Sequence, residues 1–183
     1  MPPFRFVIDR LATMASVGRG ESLELPLDIV PMAMTRATDR EALVTLAGQC
    51  LSGDSQPDSQ PGGHFAPAGL LAELSGRPGR DVHAWLAWSN GTVAREAAGS
   101  RSDPCPVGLV ALVVAGPAAR RRFSIAWLLV LPEARRRGIA TALVDRAVSH
   151  ARALGAEQIF AETLPSWPAA IGFWRSTGFE QES

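Results

Sequence analysis

The chain has 183 residues, of which 46% are hydrophobic and 20% are charged, and its mean hydropathy is +0.07. This length and apolar content provide for one core and exclude wholesale disorder, which needs low hydrophobicity and high net charge. The 18 basic residues, all of them arginine, balance 18 acidic residues. Charge neutrality argues against a protein built mainly to hold nucleic acid. The absence of lysine also excludes Schiff-base chemistry on this chain.

The N-terminal residues contain no long apolar stretch, so no signal peptide is expected. No apolar run approaches the roughly 20 residues that a membrane helix needs. We therefore expect a cytoplasmic protein without a membrane segment. The two cysteines, Cys50 and Cys105, match neither a disulfide framework nor a zinc spacing, and we interpret them as buried thiols. No metal site is predicted.

The first half of the chain alternates short ordered segments with loops rich in glycine, proline and serine. Residues 1–26 are interpreted as an N-terminal extension, in which PFRFVIDRLA is expected to form a strand, and residues 27–183 as the main domain. Asp39 is predicted to cap a helix that follows an extended segment. Further predicted elements are a loop over 52–68, a short helix over 68–74, a surface insertion near 95–106, and strands over 81–88, 107–115 and 123–131.

The second half switches between the periods of helix and strand. An apolar stripe at helical spacing predicts a helix over 138–154, with Gly155 just after its end. Residues 157–163 are predicted to form a strand. Ser166 is expected to cap a last helix that has Pro168 in its first turn. The predicted class is therefore mixed α and β with one central sheet.

The most informative stretch is VLPEARRRGIATALV, where a buried strand leads through a basic turn directly into a helix. The first turn of a helix leaves N–H groups unpaired, and the helix dipole favours negative charge there. Gly138 allows a close backbone approach, Ala140 keeps the next position small, and the arginines at 135–137 add positive charge. The pattern indicates a phosphate or pyrophosphate cradle and matches neither a P-loop nor a dinucleotide-binding glycine turn. An arginine triplet is also typical of a solvated surface, which is how we interpret residues 120–122.

Two separate motifs resemble those of a known family. The run over 130–144, with Arg-x-x-Gly-x-Ala after a strand, resembles the central motif of the GCN5-related N-acetyltransferase superfamily. IGFWRSTGFE, residues 171–180, is similar to the next motif of that family. The resemblance is specific over 123–179, weak over 28–50 and absent over 1–26. It implies an acyl-CoA N-acyltransferase fold of the α/β (α+β) class: a mixed, mostly antiparallel twisted sheet with flanking helices and truncated C-terminal strands.

The same resemblance implies where acetyl-CoA, the acyl donor, would bind. The strand that ends at Val130 would splay from its neighbour and pair with the pantetheine arm, while the start of the next helix would hold the pyrophosphate. The implied donor-binding residues are Leu129, Val130, Arg135, Arg137, Gly138, Ile139, Ala140, Thr141 and Trp174. An amine acceptor would attack the thioester directly, and the resemblance implies no metal.

For the general base the resemblance favours Glu162, which stands where bacterial ribosomal-protein alanine acetyltransferases carry a catalytic glutamate. Burial in a cleft would suit this carboxyl to proton transfer at neutral pH. His83 and His64 are alternative candidates, and a solvated or ion-paired role for Glu162 stays open. Trp174 stands at the position of the tyrosine that protonates the leaving thiolate in many relatives, and the chain contains no tyrosine. An indole N–H donates hydrogen bonds but no proton at neutral pH.

Three functions remain open on the sequence. The first is an N-acetyltransferase that moves an acetyl group from acetyl-CoA to a primary amine of a small molecule or a protein N-terminus. The second is a non-catalytic acyl-CoA-binding or sensing module, and the third is a phosphate-binding fold unrelated to CoA. Because the chain ends soon after Phe179, we expect the N-terminal strand, or a partner subunit as in a homodimer, to cover the sheet edge left there.

Overall fold

The computed structural model describes residues 3–9, 27–51, 67–76, 78–89 and 104–182. In these ranges the chain forms one seven-stranded sheet in the order β2-β3-β4-β5-β6-β1-β7. The strands are β1 (Phe4–Ile8), β2 (Leu27–Pro31), β3 (Arg80–Ser89), β4 (Cys105–Ala115), β5 (Arg122–Val130), β6 (Ile159–Thr163) and β7 (Glu180–Gln181). The α-helices are α1 (Ala37–Leu51), α2 (Pro67–Leu74), α3 (Ile139–Ala153) and α4 (Pro168–Ser176).

Neighbouring strands are antiparallel except β5 and β6, which are parallel because α3 connects them as a crossover. This arrangement confirms the predicted mixed, mostly antiparallel sheet with flanking helices. None of the helices within the described ranges is long and apolar enough to cross a bilayer.

Helices cover strand β4 on both faces, which explains why it is a continuous apolar run. Gly108 shows which face α3 covers, since a Cβ at this position would lie 2.9 Å from Leu143 Cδ1 and 3.3 Å from Ile139 Cγ2. Helix α1 also contacts β4 and β5. Alternate residues of β4, such as Leu109 and Ala111, point away from α3 and are fully buried, so α1 covers the opposite face. The core therefore forms two layers, one on each side of the sheet.

The N-terminal strand β1 lies inside the sheet, between β6 and β7. All five of its residues pair with β6 in antiparallel register, and two of them also pair with β7. Phe6, at the centre of the strand, is fully buried. The strand expected in PFRFVIDRLA thus forms over Phe4–Ile8 and covers the edge of β6. Residues 10–26 lie outside the described ranges.

The predicted cap of α1 is wrong. The helix begins at Ala37, so Asp39 lies inside its first turn. The Asp39 carboxylate instead accepts a hydrogen bond from the Ala33 N–H at 2.7 Å and pairs with Arg36 Nε at 2.9 Å. These contacts fasten the β2–α1 connection to the start of the helix. A buried acidic group in the first turn also complements the helix dipole.

The predicted cap of α4 is wrong by one residue. Trp167, and not Ser166, is the N-cap, and it makes no side-chain capping hydrogen bond. Pro168 follows in the first turn as expected, and its fixed φ sets the helix start without a polar cap. Gly155 and Gly178 both have a φ of +85°. This is the left-handed conformation that commonly ends a helix.

We predict that β1 contributes to global stability. Phe6→Ala should lower the free energy of unfolding by about 3–5 kcal/mol, because it leaves a cavity in the core. Val7→Ala, on the half-buried opposite face of the same strand, should cost about 1 kcal/mol. Urea denaturation of both variants is the measurement, and equal losses would contradict an integral position of β1 in the sheet.

Candidate active site

Strands β5 and β6 separate part-way along their length. Over these two fully described strands, parallel pairing is confined to two residue pairs, the last of which joins Ile125 to Ala161. The next residue of β5, Ala126, is skipped in the register with β4 and forms a bulge. An extra residue bends a strand and increases its local twist. Pairing between β5 and β6 therefore ends at this point, as expected for a strand that splays from its neighbour.

One backbone edge of β5 faces this gap without a partner strand. Leu131 donates its N–H to the Val107 carbonyl of β4 at 3.0 Å. Backbone groups of successive strand residues point to opposite edges, so Leu129 also points toward β4. The N–H and C=O groups on the gap side consequently belong to Leu128 and Val130. The resemblance implied backbone pairing with the donor along this stretch of β5. Of the two residues named for it, Val130 faces the gap, whereas Leu129 points toward β4.

Helix α3 begins at the end of the gap with three N–H groups that have no acceptor inside the helix. The N-cap Gly138 adopts the left-handed conformation, with φ of 77°, and makes no side-chain capping bond. The Ala142 N–H donates to the Gly138 carbonyl at 3.0 Å. The preceding N–H groups, those of Ile139, Ala140 and Thr141, therefore point out of the first turn, where anions bind well. This is the geometry that the sequence predicted for a phosphate cradle.

The three arginines before Gly138 occupy different positions. Arg135 is exposed, and its Nε donates to the Val130 carbonyl at 3.1 Å, which ties the turn to the end of β5. Arg136 has a φ of 63°, a left-handed conformation that is uncommon for a residue other than glycine. Arg137 is half-buried. The turn thus combines positive charge with a sharply folded backbone directly before the helix.

The two sides of the gap can be assigned by following residues across the sheet. Gly108 points to α3, and Leu112, four residues on in β4, shares its face. Leu112 lies opposite Ile125 of β5, and Ile125 lies opposite Ala161 of β6. Ala161 therefore points to the α3 side of the sheet. By alternation Thr163 does the same, whereas Glu162 points to the opposite side.

Glu162 lies in an exposed ion pair. Its side chain is 50% exposed, and its Oε1 is 3.3 Å from Nε of Arg5, the residue opposite it on β1. Arg5 Nε also lies 3.5 Å from Glu182 Oε2. The buried environment expected for Glu162 is not found, because this part of the sheet is open on the side away from α3. Nearby on the same face, the Arg122 guanidinium stacks 4.4 Å from the Phe160 ring centre.

Trp174 is a core residue. It is 5% exposed, and its ring centre lies 5.1 Å from that of Phe173 and 4.9 Å from that of Phe179, in edge-on geometry. Such aromatic pairs stabilise a core beyond their buried area. The side chain at the position of the family tyrosine therefore anchors α4 to the C-terminal end of the chain. Its predicted contact with the donor stays a prediction.

His83 lies away from the gap. It stands on β3 and faces α3, where its ring centre is 4.5 Å from that of His150. The His150 ring also meets Trp85 edge-on at 5.0 Å, and this histidine is half-buried. His64, the other alternative base, lies outside the described ranges.

The two cysteines are free and buried, as expected. Burial raises the pKa of the Cys50 thiol to about 11, an effect that the nearby Arg135 charge only partly offsets. Burial also raises the pKa of Cys105. Both side chains are therefore neutral thiols at physiological pH and unsuited to nucleophilic attack.

A sheet whose strands part beside the start of a basic, glycine-capped helix is the arrangement that the resemblance implied for an acyl-CoA N-acyltransferase fold. The sequence model of the acetyltransferase (GNAT) family matches residues 60–179. The chain therefore belongs to the GNAT family, which confirms the resemblance predicted from its two motifs. No curated protein matches the sequence.

Solved structures share this fold at low sequence identity. The aminoglycoside N-acetyltransferase AAC(6′)-Iy in complex with CoA is 17% identical, with a TM-score of 0.59. The match covers 87% of this chain and 91% of that protein. The aminoglycoside acetyltransferase meta-AAC0020 from an uncultured soil metagenomic sample is 17% identical, with a TM-score of 0.57 and coverage of 83% and 87%. A tandem GNAT protein from the clavulanic acid biosynthesis pathway is 14% identical, with a TM-score of 0.60, and covers 98% of this chain, which spans 50% of that protein.

The close approach of α3 to the sheet yields a prediction on two glycines. Gly108→Ala should lower the free energy of unfolding by about 1–3 kcal/mol, because the added Cβ overpacks the interface. The Leu129 carbonyl oxygen, only 3.0 Å from that Cβ, is backbone and cannot rotate aside. Gly48→Ala is the matched control: nothing lies within 4 Å of its Cβ, and it should stabilise α1 by about 0.5–1 kcal/mol. Denaturant titration of both variants measures the difference, and a stabilising Gly108→Ala would contradict the packing.

The histidine cluster predicts a pH dependence of stability. Burial, then the charges of His83 and Arg146, lowers the pKa of His150. The folded protein therefore binds this proton more weakly than the unfolded chain, and stability falls as the pH drops below about 6.5, the pKa of an unperturbed histidine. His150→Gln should reduce the fall in melting temperature that is measured between pH 8 and pH 5. An unchanged slope in the variant would assign the pH dependence to other groups.

Proposed function

We propose that this protein is an N-acetyltransferase, which moves an acetyl group from acetyl-CoA to a primary amine of a small molecule or a protein N-terminus. The observation that carries the proposal is the gap between β5 and β6, which opens beside the free N–H groups of α3. The strand edge can pair with an amide-bearing arm of a ligand, and the helix start beside it can hold a diphosphate. Acetyl-CoA has both groups.

The donor fits the α3 side of the gap. The N–H groups of Ile139, Ala140 and Thr141 would hold the pyrophosphate, with positive charge from Arg135 and Arg137. The gap-side backbone of Leu128 and Val130 would pair with the pantetheine arm as a neighbouring strand would. A backbone N–H from the same edge would polarise the thioester carbonyl. When bound, the donor supplies an activated acetyl group.

The acceptor fits the opposite side, where Glu162 points. An exposed ion pair is worth about 0–1 kcal/mol, so the carboxylate can exchange Arg5 for an incoming ammonium group at little cost. In the proposed reaction Glu162 removes one proton from this ammonium group and leaves the neutral amine. The amine nitrogen then forms a C–N bond with the thioester carbon as the C–S bond breaks, and its second proton passes to water. Two structural relatives are named aminoglycoside acetyltransferases, which supports an amine acceptor.

The leaving thiolate must take its proton from water in this reaction. The chain has no tyrosine, and the buried Trp174 donates no proton at neutral pH. A thiol with a pKa of about 8.5 can leave as the thiolate, so no side-chain acid is required. The proposed enzyme therefore depends on its base and on placement of the donor more than on a general acid.

The test is release of free thiol from acetyl-CoA in the presence of a panel of primary amines. The wild type should release thiol above background, and Glu162→Gln should lower kcat at least about 100-fold, since a positioned general base contributes this much. KM for acetyl-CoA should stay the same, because Glu162 faces away from the donor. Glu157→Gln, an exposed glutamate just before β6, is the matched control and should keep full activity.

Other outcomes separate the rival functions. Binding of CoA without thiol release across the panel would favour the non-catalytic acyl-CoA-binding module. Turnover that is indifferent to Glu162→Gln would remove Glu162 as the base and leave the transferase in place.

A further inference from the structure

Arg5 and Glu162 place opposite charges side by side on an exposed face of the sheet. The two residues lie opposite each other on β1 and β6, and the Arg5 Nε is 3.3 Å from the Glu162 Oε1. Their side chains are 45% and 50% exposed, so both groups are accessible to a ligand from solvent. A ligand that meets one of these charges therefore meets the other as well.

Arg5 keeps hydrogen-bond donors for a ligand. Its contacts with Glu162 and Glu182 are both made through Nε, at 3.3 and 3.5 Å. Neither terminal nitrogen of its guanidinium donates a hydrogen bond to another residue within the described ranges. A guanidinium carries five N–H donors, and its end presents two parallel N–H groups that match the two oxygens of a carboxylate. The end of Arg5 thus suits a carboxylate that comes from outside the chain.

The proposed reaction separates this ion pair. When the ammonium group of an acceptor binds the Glu162 carboxylate, Arg5 loses that partner and retains Glu182. An acceptor that also carries a carboxylate would replace the lost partner of Arg5, whereas a plain amine would not. Because the two protein groups are in direct contact, the two charges of such an acceptor have to be neighbours. In an α-amino acid a single carbon separates them.

An apolar pair lies next to the charged pair on the same face. Val7 and Phe160 lie opposite each other, one row further along β1 and β6, which is about 6.6 Å from the ion pair. Both are half-buried, and the Arg122 guanidinium stacks on the Phe160 ring at 4.4 Å from its centre. The exposed remainder of the pair offers contact area to an aliphatic side chain. The face thus has places for the ammonium group, the carboxylate and the side chain of one amino acid.

We propose that the acceptor is a free α-amino acid with an aliphatic side chain, and that Arg5 binds its carboxylate. This inference rests on the proposed function and narrows its acceptor. A protein N-terminus is not such an acceptor, because the first residue of a protein has its carboxyl group in a peptide bond. Glu162 removes the proton from the ammonium group as before. Arg5 is an acceptor-binding residue that takes no part in proton transfer.

The test measures thiol release from acetyl-CoA with L-leucine, L-leucinamide and 3-methylbutylamine. The three amines share one side chain, but only leucine carries a carboxylate. For leucine, kcat/KM should be at least about tenfold higher than for the other two, since hydrogen bonds to a charged group are worth at least this much. The amine of leucinamide loses its proton more readily than that of leucine, so this difference in reactivity opposes the expected preference.

Arginine variants assign the preference to one side chain. Arg5→Gln should lower kcat/KM for leucine at least about tenfold relative to the two amines without a carboxylate, because the charged pair of N–H groups is gone. Arg5→Lys keeps the charge without the paired N–H groups and should retain part of the preference. Arg120→Gln is the matched control, because it removes one charge from an exposed arginine between β4 and β5. It should keep the full preference for leucine.

The readout is the ratio of kcat/KM between acceptors. Arg5 also contacts Glu162, so Arg5→Gln can change the turnover of all three amines together. Such a common change cancels in the ratio, as does any loss of folded protein. The ratio therefore reports recognition of the carboxylate alone.

The outcomes separate this inference from the proposed function. If no primary amine, in this set or in the wider panel, gives thiol release, the proposed function fails and the inference falls with it. If the wild type releases thiol with amines but does not prefer leucine to its two analogues, the proposed function stands and the amino-acid acceptor is refuted. If Arg5→Gln retains the preference, or Arg120→Gln loses it as well, the role of Arg5 is refuted.

Discussion

Strand β5 can pair on both edges only as far as Ile125, because the bulge at Ala126 bends it away from β6. Everything in the candidate site follows from this bend. It exposes the backbone of Leu128 and Val130, and it carries the chain to the point where α3 starts beside the opening. A straight β5 would continue the ladder to β6 and leave no room for a ligand.

The gap persists because the sheet is held firmly on both sides of it. On one side, Gly108 lets α3 lie directly on β4, and Arg135 fastens the turn to the Val130 carbonyl. On the other side, β1 pairs with β6 along its full length and buries Phe6. The N-terminal strand thus supports the β6 wall although it comes from the far end of the sequence. It also supplies Arg5, which pairs with Glu162.

Elements with local signals could be predicted from the sequence. The helix over 138–154 is bracketed by glycines that need positive φ, and β4 and β5 are rich in apolar residues, so all three were predicted within two residues. The cap of α1 was wrong because the Asp39 side chain bonds outside its own helix, to Ala33. The exposure of Glu162 could not be predicted either, because Arg5, its partner, is 157 positions away.

The two sides of β6 present different chemistry. Successive residues of a strand point to opposite faces, so Glu162 and Thr163 are separated by the sheet itself. The Glu162 carboxylate is exposed on the side away from α3, whereas the Thr163 side chain is buried on the side of α3. In the proposed reaction the thioester carbon alone would have to lie in the gap, and no side chain would have to reach through the sheet. Because the chain contains no tyrosine, that reaction would depend on placement of the donor by the backbone of β5 and the start of α3.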